Sequence, residues 1–136
     1  MRIISKEDFA NFVDSLIKDK SLNVIGVKAK GDKFAFGQLE SASELRLDYD
    51  VTILPPKKYF FPQRETLLTY DLAKGFTAKS PTEAKPMVII GVHPYDIVAL
   101  LHMDEIFRET KSDPYYFEKR QASIIIGVNI QKMSKW

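Results

Sequence analysis

The chain has 136 residues, 45% of them hydrophobic and 28% charged, which is ordinary for one globular domain. Its 20 lysines and arginines and 18 acidic residues leave a formal net charge of +2, too small to indicate nucleic-acid binding by itself. Because cysteine is absent, disulfides, thiolate zinc sites and cysteine-ligated clusters are excluded. We therefore expect a single domain over residues 1–136 with no cofactor of its own.

The N-terminal segment predicts an amphipathic helix over residues 5–20. Ser5 and Asp8 have the spacing of a capping box. The expected buried stripe, at helical spacing, consists of Phe9, Phe12, Val13, Leu16 and Ile17, with Asp14 outside it. No apolar run here resembles a signal peptide, and none elsewhere is as long as a membrane span, so we expect a cytoplasmic protein without membrane attachment.

The middle of the chain predicts a hairpin followed by irregular structure. Residues 23–30 and 33–39 read as strands joined at Gly31-Asp32, and Ser41 or Ser43 is expected to cap a short helix reaching Leu47. The prolines within residues 51–62 favour an extended or looping segment that is not helical. A short strand over 66–70 and a loop over 73–85 complete the prediction.

The C-terminal third predicts a parallel strand–helix–helix–strand unit. Residues 87–91 and 123–128 are apolar strand candidates, and the first should be covered on both faces. Between them, residues 96–107 form a helix whose apolar residues are available to the core, namely Ile97, Leu100, Leu101 and Ile106. Asp113-Pro114 then opens a second helix through Arg120. The expected fold is α/β, with a mixed sheet containing this right-handed crossover.

Ligands of parallel sheets bind beyond the carboxyl ends of the strands, so these ends form one candidate crevice. It would be lined by Gly91, His93, Tyr95, Asp96, Gly127 and Asn129. Alternatively, the glycines only let the chain turn and pack. A metal site would need His93 and His102 to converge with Asp96, Asp104 or Glu105. The simpler interpretation makes His102 a helix-surface residue and His93 a strand-end hydrogen bonder.

The segment 54–65 combines three prolines, three consecutive aromatics and several cations, a mixture found at protein interfaces. The residues expected to bind a protein partner are Lys57, Lys58, Tyr59, Phe60, Phe61 and Arg64. Two alternatives remain open, a loop whose aromatics close over the core and a surface that stacks single-stranded nucleic acid.

Together with residues 89–107 and 113–130, this segment resembles the N-terminal region of sulfhydrogenase beta subunits and of anaerobic sulfite reductase A subunits. The resemblance implies an electron-transfer family in which this domain precedes a ferredoxin-like domain with two [4Fe–4S] clusters. It also implies protein partners such as flavoprotein, ferredoxin-like, hydrogenase or reductase subunits.

This chain departs from that family in two motifs, and in both of them a family cysteine is replaced. The family pattern Gly-Val-Arg-Pro-Cys-Asp is replaced by Gly-Val-His-Pro-Tyr-Asp at residues 91–96, and its Asn-Cys by Asn129-Ile130. No cluster ligand can therefore be transferred to this sequence. We expect a non-catalytic accessory or docking subunit, or a fragment of one, in an anaerobic redox complex. The alternatives are a small-molecule-binding domain and a truncated electron-transfer subunit whose clusters lie in missing sequence.

The absence of cysteine predicts that the purified chain is colourless and binds no iron–sulfur cluster, because cluster irons need thiolate ligands in almost every class. The measurement is visible absorption after anaerobic reconstitution with iron and sulfide. A stable, stoichiometric cluster spectrum would contradict this prediction.

Overall fold

The computed structural model describes residues 3–70, 78–79, 85–109 and 113–131. Its elements in chain order are α1 (Lys6–Lys18), β1 (Asn23–Lys30), β2 (Lys33–Gln38), a first 3-10 helix (Ala42–Glu44), a second 3-10 helix (Pro56–Tyr59), β3 (Thr69–Tyr70), β4 (Ala78–Lys79), β5 (Met87–Val92), α2 (Pro94–Glu109), α3 (Pro114–Gln121) and β6 (Ser123–Gly127).

The main sheet has four strands in the order β2-β1-β5-β6. β1 and β2 pair antiparallel as the expected hairpin, whereas β5 lies parallel to both β1 and β6. The two-residue strands β3 and β4 form a separate antiparallel pair. The predictions of a mixed α/β sheet, an N-terminal helix and a C-terminal parallel crossover are confirmed.

β5 is one of the two inner strands of the sheet, and all six of its residues are buried. This burial explains its unbroken run of apolar side chains, because helices cover a parallel strand on both faces. The equally apolar β6 is the last strand of the sheet, where Ile124 is 64% exposed. An apolar composition alone therefore does not indicate that a strand is covered on both faces.

Two apolar clusters lie on opposite faces of the sheet. The α1 face contains Val13, Val24, Leu39, Val88 and Ile90. The opposite face, covered by α2 and α3, contains Ile25, Val27, Phe36, Tyr49, Phe60, Met87, Ile89, Val92, Leu100 and Tyr116. Side chains alternate between the faces of a strand, so neighbouring residues of β5 enter different clusters.

α1 begins as predicted, with the Ser5 hydroxyl accepting the Asp8 N–H at 3.0 Å, but its buried stripe differs from the prediction. Val13 is fully buried, whereas Phe12 is 44% exposed. Asp14 lies outside the predicted apolar stripe, yet its carboxylate accepts the Ala42 N–H at 2.7 Å. It thereby caps the first 3-10 helix, a contact that helical periodicity cannot reveal.

Three further predictions need correction. The segment 51–61 is partly helical, because Pro56 occupies a first-turn position where the fixed φ of proline suits a helix. In α2, Leu101 and Ile106 are 50% and 62% exposed, and they do not belong to the core. The expected strand over 66–70 is reduced to Thr69–Tyr70, and most of the expected loop 73–85 lies outside the described residues.

Among the described residues, no helix combines the length and the hydropathy that crossing a membrane requires.

Aspartate substitutions at two neighbouring positions test the buried face of α1. Val13→Asp should lower the free energy of unfolding by about 3 kcal/mol or more, because it places a charge in a closed apolar cluster. Phe12→Asp, one residue away on the same helix, should lower it by less than about 1 kcal/mol. Urea denaturation measures both values. A loss for Phe12→Asp as large as that for Val13→Asp would show that Phe12 belongs to the buried stripe, as the sequence predicted.

Candidate docking surface and strand-end cluster

The segment 54–64 is held in one conformation by its own backbone. Pro55 is extended, and Pro56 is buried at the start of the second 3-10 helix. The N–H groups of Phe60 and Phe61 both donate to the Lys57 carbonyl, at 3.0 and 2.9 Å. The consecutive aromatics therefore leave a helical turn and point in different directions.

Phe60 anchors this segment to the domain. Its side chain is fully buried and packs edge-on against Tyr116 of α3, with ring centroids 6.4 Å apart. Arg120 is on the same helix as Tyr116, and its guanidinium lies 5.6 Å from the centre of the Phe60 ring. Phe60 is therefore a core residue and is inaccessible to a partner.

Phe61 points the other way, and 56% of its side chain is exposed. The centroid of its ring is 5.5 Å from that of Phe107 in α2, so the ring contacts the domain while more than half of the residue remains exposed. A concavity of about 400 Å³ adjoins it, lined by Leu54, Pro55, Lys57, Lys58, Tyr59, Phe61, Pro62 and Gln63. Tyr59 is half-buried there, and burial raises its pKa to about 12.

The cations of the segment have different environments. Lys57 and Arg64 are exposed. Lys58 is half-buried, and its ammonium donates to the Phe36 carbonyl of β2 at 2.8 Å. Burial, assisted by the nearby charge of Lys30, lowers the pKa of Lys58. Lys57 and Arg64 are thus exposed to solvent, whereas the Lys58 ammonium uses one of its three N–H groups to bond the sheet.

Glu65 and Leu67, which follow the aromatic residues, contact α3 through an ion pair and a hydrogen bond. The Tyr115 hydroxyl donates to the Leu67 carbonyl at 2.7 Å, and Lys119 forms an ion pair with Glu65. Sequence reasoning missed these residues because each contact joins positions about fifty residues apart. The segment is consequently attached to α3 both through Phe60 and through the residues that follow it.

The carboxyl end of β5 is filled by side chains of this chain. The Tyr49 hydroxyl donates to the Gly91 carbonyl at 2.6 Å, and its ring stacks on His93 with centroids 4.0 Å apart. Gly91 has a φ of 88°, which favours glycine. The Val128 N–H donates to the Val92 carbonyl at 2.9 Å, so the two predicted strand ends do lie together.

His93 is fully buried, and its Nδ1 lies 3.0 Å from the Tyr95 hydroxyl oxygen. The same hydroxyl donates to the Asp50 carbonyl at 3.1 Å. Nε2 has no hydrogen-bond partner among the described residues. Burial lowers the pKa of His93, although the carbonyl and charge of Asp50 oppose the shift.

The remaining predicted crevice residues differ in their exposure to solvent. Gly127 and Asn129 are exposed, whereas Asp96 is half-buried, and burial raises its pKa against the opposing charge of Lys57. Tyr95 is 46% exposed, yet its hydroxyl is already bonded. Tyr49, which occupies the centre of this strand-end cluster, was missed because an isolated tyrosine after a polar stretch carries no periodic signal.

The described residues contain no group of three histidine or acidic residues that could hold a metal ion. His102 lies on the exposed surface of α2, as its simpler interpretation predicted, and His93 is the expected strand-end hydrogen bonder.

The chain is similar to the sulfhydrogenase 2 subunit beta of Pyrococcus furiosus. The two sequences are 32% identical over 106 residues, which cover 78% of this chain and 31% of that protein. The chain therefore matches about a third of the length of this relative. Protein-family models give no match, and no solved structure matches.

The environment of His93 predicts a pH-dependent stability. Its pKa in the folded state is lowered, so as pH falls the unfolded chain binds the proton first. The free energy of unfolding should therefore decrease as pH drops from about 6.5, the ordinary histidine value, toward the lowered pKa of His93. Urea denaturation across this range, with NMR titration of the imidazole, measures both quantities.

Two glutamine variants test the origin of this pH dependence, one at His93 and a control at His102. His93→Gln should remove the loss of stability between these pH values, whereas His102→Gln on the exposed face of α2 should retain it. If His93→Gln retains the full pH dependence, or if the His93 imidazole titrates at or above about 6.5, the proposed burial of a neutral ring is wrong.

Proposed function

We propose that this chain is a non-catalytic docking subunit, or part of one, in a redox complex of the hydrogenase or anaerobic sulfite reductase type. The similarity to a sulfhydrogenase beta subunit over 78% of the chain supports the kind of complex. The lack of cysteine supports the non-catalytic role, because the chain cannot ligate an iron–sulfur cluster through thiolates. The proposed partners are flavoprotein, ferredoxin-like, hydrogenase or reductase subunits.

The observation that carries the docking role is an exposed aromatic residue on a rigidly attached segment. We name the exposed residues Lys57, Phe61 and Arg64, together with the half-buried Tyr59, the Phe61 surface. Preorganised segments bind with a smaller entropic cost than mobile ones. An aromatic residue next to cations is also the composition of energetic hot spots in protein interfaces.

The nucleic-acid alternative for this segment has less support. Base stacking on single strands uses successive accessible aromatic rings. Here Phe60 is buried and Tyr59 is half-buried, so of these three aromatic residues only Phe61 is largely exposed. The net charge of +2 adds no strong attraction for phosphates.

A second candidate is that these residues belong to a longer electron-transfer subunit with clusters in the remaining sequence. The observation that favours it is that the similarity covers 31% of the relative. The small-molecule alternative is less well supported, because Tyr49 packs on His93 at the predicted crevice. The mass and iron content of the form isolated from its native host would separate the two electron-transfer candidates.

The Phe61 surface predicts a selective effect on binding. Phe61→Ala combined with Arg64→Ala should weaken the complex by about 2 kcal/mol, because hot-spot truncations have this cost. The melting temperature should change little, since both side chains are exposed. The tagged chain would be purified anaerobically from the native host, its partner subunit identified, and the affinity of that subunit measured for wild type and variant.

Phe60→Ala is the matched control, because it removes the neighbouring ring from the core and should destabilise the domain by about 3 kcal/mol or more. A binding loss confined to variants that also unfold would show that the segment only closes the core. The docking proposal would then lose its residue-level support.

A further inference from the structure

A second concavity, of about 360 Å³, adjoins the Phe61 surface at the β1–β2 hairpin. Lys28, Lys30 and Lys58 line it together with the aliphatic side chains of Ile53 and Leu54. Ile53 and Leu54 are 51% and 46% exposed, so the concavity has an apolar wall beside its cations. We name it the lysine concavity.

The charges of the lysine concavity are incompletely balanced. Among the described residues that line it, none is acidic. Lys28 is paired with Glu44 at 2.9 Å, whereas the Lys58 ammonium bonds to a neutral carbonyl. Lys30 and Lys58 line the same concavity, and after burial the charge of Lys30 contributes to lowering the pKa of Lys58, the direction expected for like charges. A carboxylate placed between them would relieve this repulsion.

The sheet edge at the concavity is blocked against strand addition. The Phe34 carbonyl of β2 accepts the Ile53 N–H at 2.8 Å, and the Phe36 carbonyl accepts the Lys58 ammonium. Such engaged carbonyls and an edge lysine are devices that prevent another strand from pairing. Recognition here therefore depends on side chains, and the complement of ammonium groups is carboxylates.

We propose that the lysine concavity receives an acidic segment of the docked protein, with carboxylates at Lys30 and Lys58 and an aliphatic side chain against Ile53 and Leu54. This inference rests on the proposed docking function. Continuity with the Phe61 surface supports it, because Leu54 and Lys58 line both concavities. A partner that contacts Phe61 would reach the lysines without leaving the same side of the domain.

A synthetic peptide tests the concavity without the partner. The probe is a fluorescein-labelled octapeptide of alternating glutamate and leucine, and its binding is followed by fluorescence anisotropy at low and high NaCl. We expect binding that weakens with salt and that is lost when glutamine replaces glutamate in the peptide. Lys30→Gln with Lys58→Gln should weaken binding by about tenfold, whereas Lys58→Arg should preserve it.

The control for charge alone is Lys6→Gln with Lys18→Gln, which removes the same charge from exposed positions of α1. This pair should change the affinity by less than about twofold. Equal weakening by both double variants, or equal binding of the glutamine peptide, would overturn the proposal. Circular dichroism confirms that each variant is folded before its binding is compared.

The same variants separate this inference from the docking proposal. If the partner complex depends on Phe61 but its salt dependence is unchanged by Lys30→Gln with Lys58→Gln, the lysine concavity is not part of the interface. If the peptide binds as expected but no complex sensitive to Phe61→Ala exists, the docking function fails while the acidic-segment site stands.

Discussion

The burial of Phe60 against α3 is the contact on which the candidate surface depends. Because Phe60 enters the core beside Tyr116 and Arg120, the next residue in the chain is directed outward. The prolines before it limit the backbone conformations of the segment, so little entropy remains to be lost on binding. A single core contact thus produces an exposed aromatic residue that is held in place.

The rest of the fold places this segment beside the sheet. β5 is buried on both faces and joins the hairpin to the C-terminal unit, so the positions of β2 and α3 are fixed relative to each other. The segment contacts both, through Lys58 at β2 and through Phe60 at α3. At the far end of β5, the stacking of Tyr49 on His93 fills the position that a ligand of a parallel sheet commonly occupies.

Most elements could be predicted from the sequence because they have periodic or capping signals. The hairpin, the buried strand β5 and the capped helices α1 and α3 belong to this group. The errors occur where an isolated contact decides the result. Asp14 caps a helix that lies 28 residues away, and Tyr49 reaches Gly91 across 42 residues. No local pattern encodes such contacts, so the roles of these two residues could only be found in three dimensions.

The distribution of charge at the candidate interface has consequences that the net charge of +2 does not show. The apolar contact at Phe61 is short-ranged and insensitive to salt, so it should act mainly on the dissociation rate. The lysines at the hairpin act over roughly a Debye length, about 8 Å at physiological salt, and their main effect is on encounter and orientation. Because the two concavities share Lys58 and Leu54, one partner would experience both effects together. Substitution of Phe61 should therefore act mainly on the dissociation of that partner, and substitution of Lys30 mainly on its encounter and orientation.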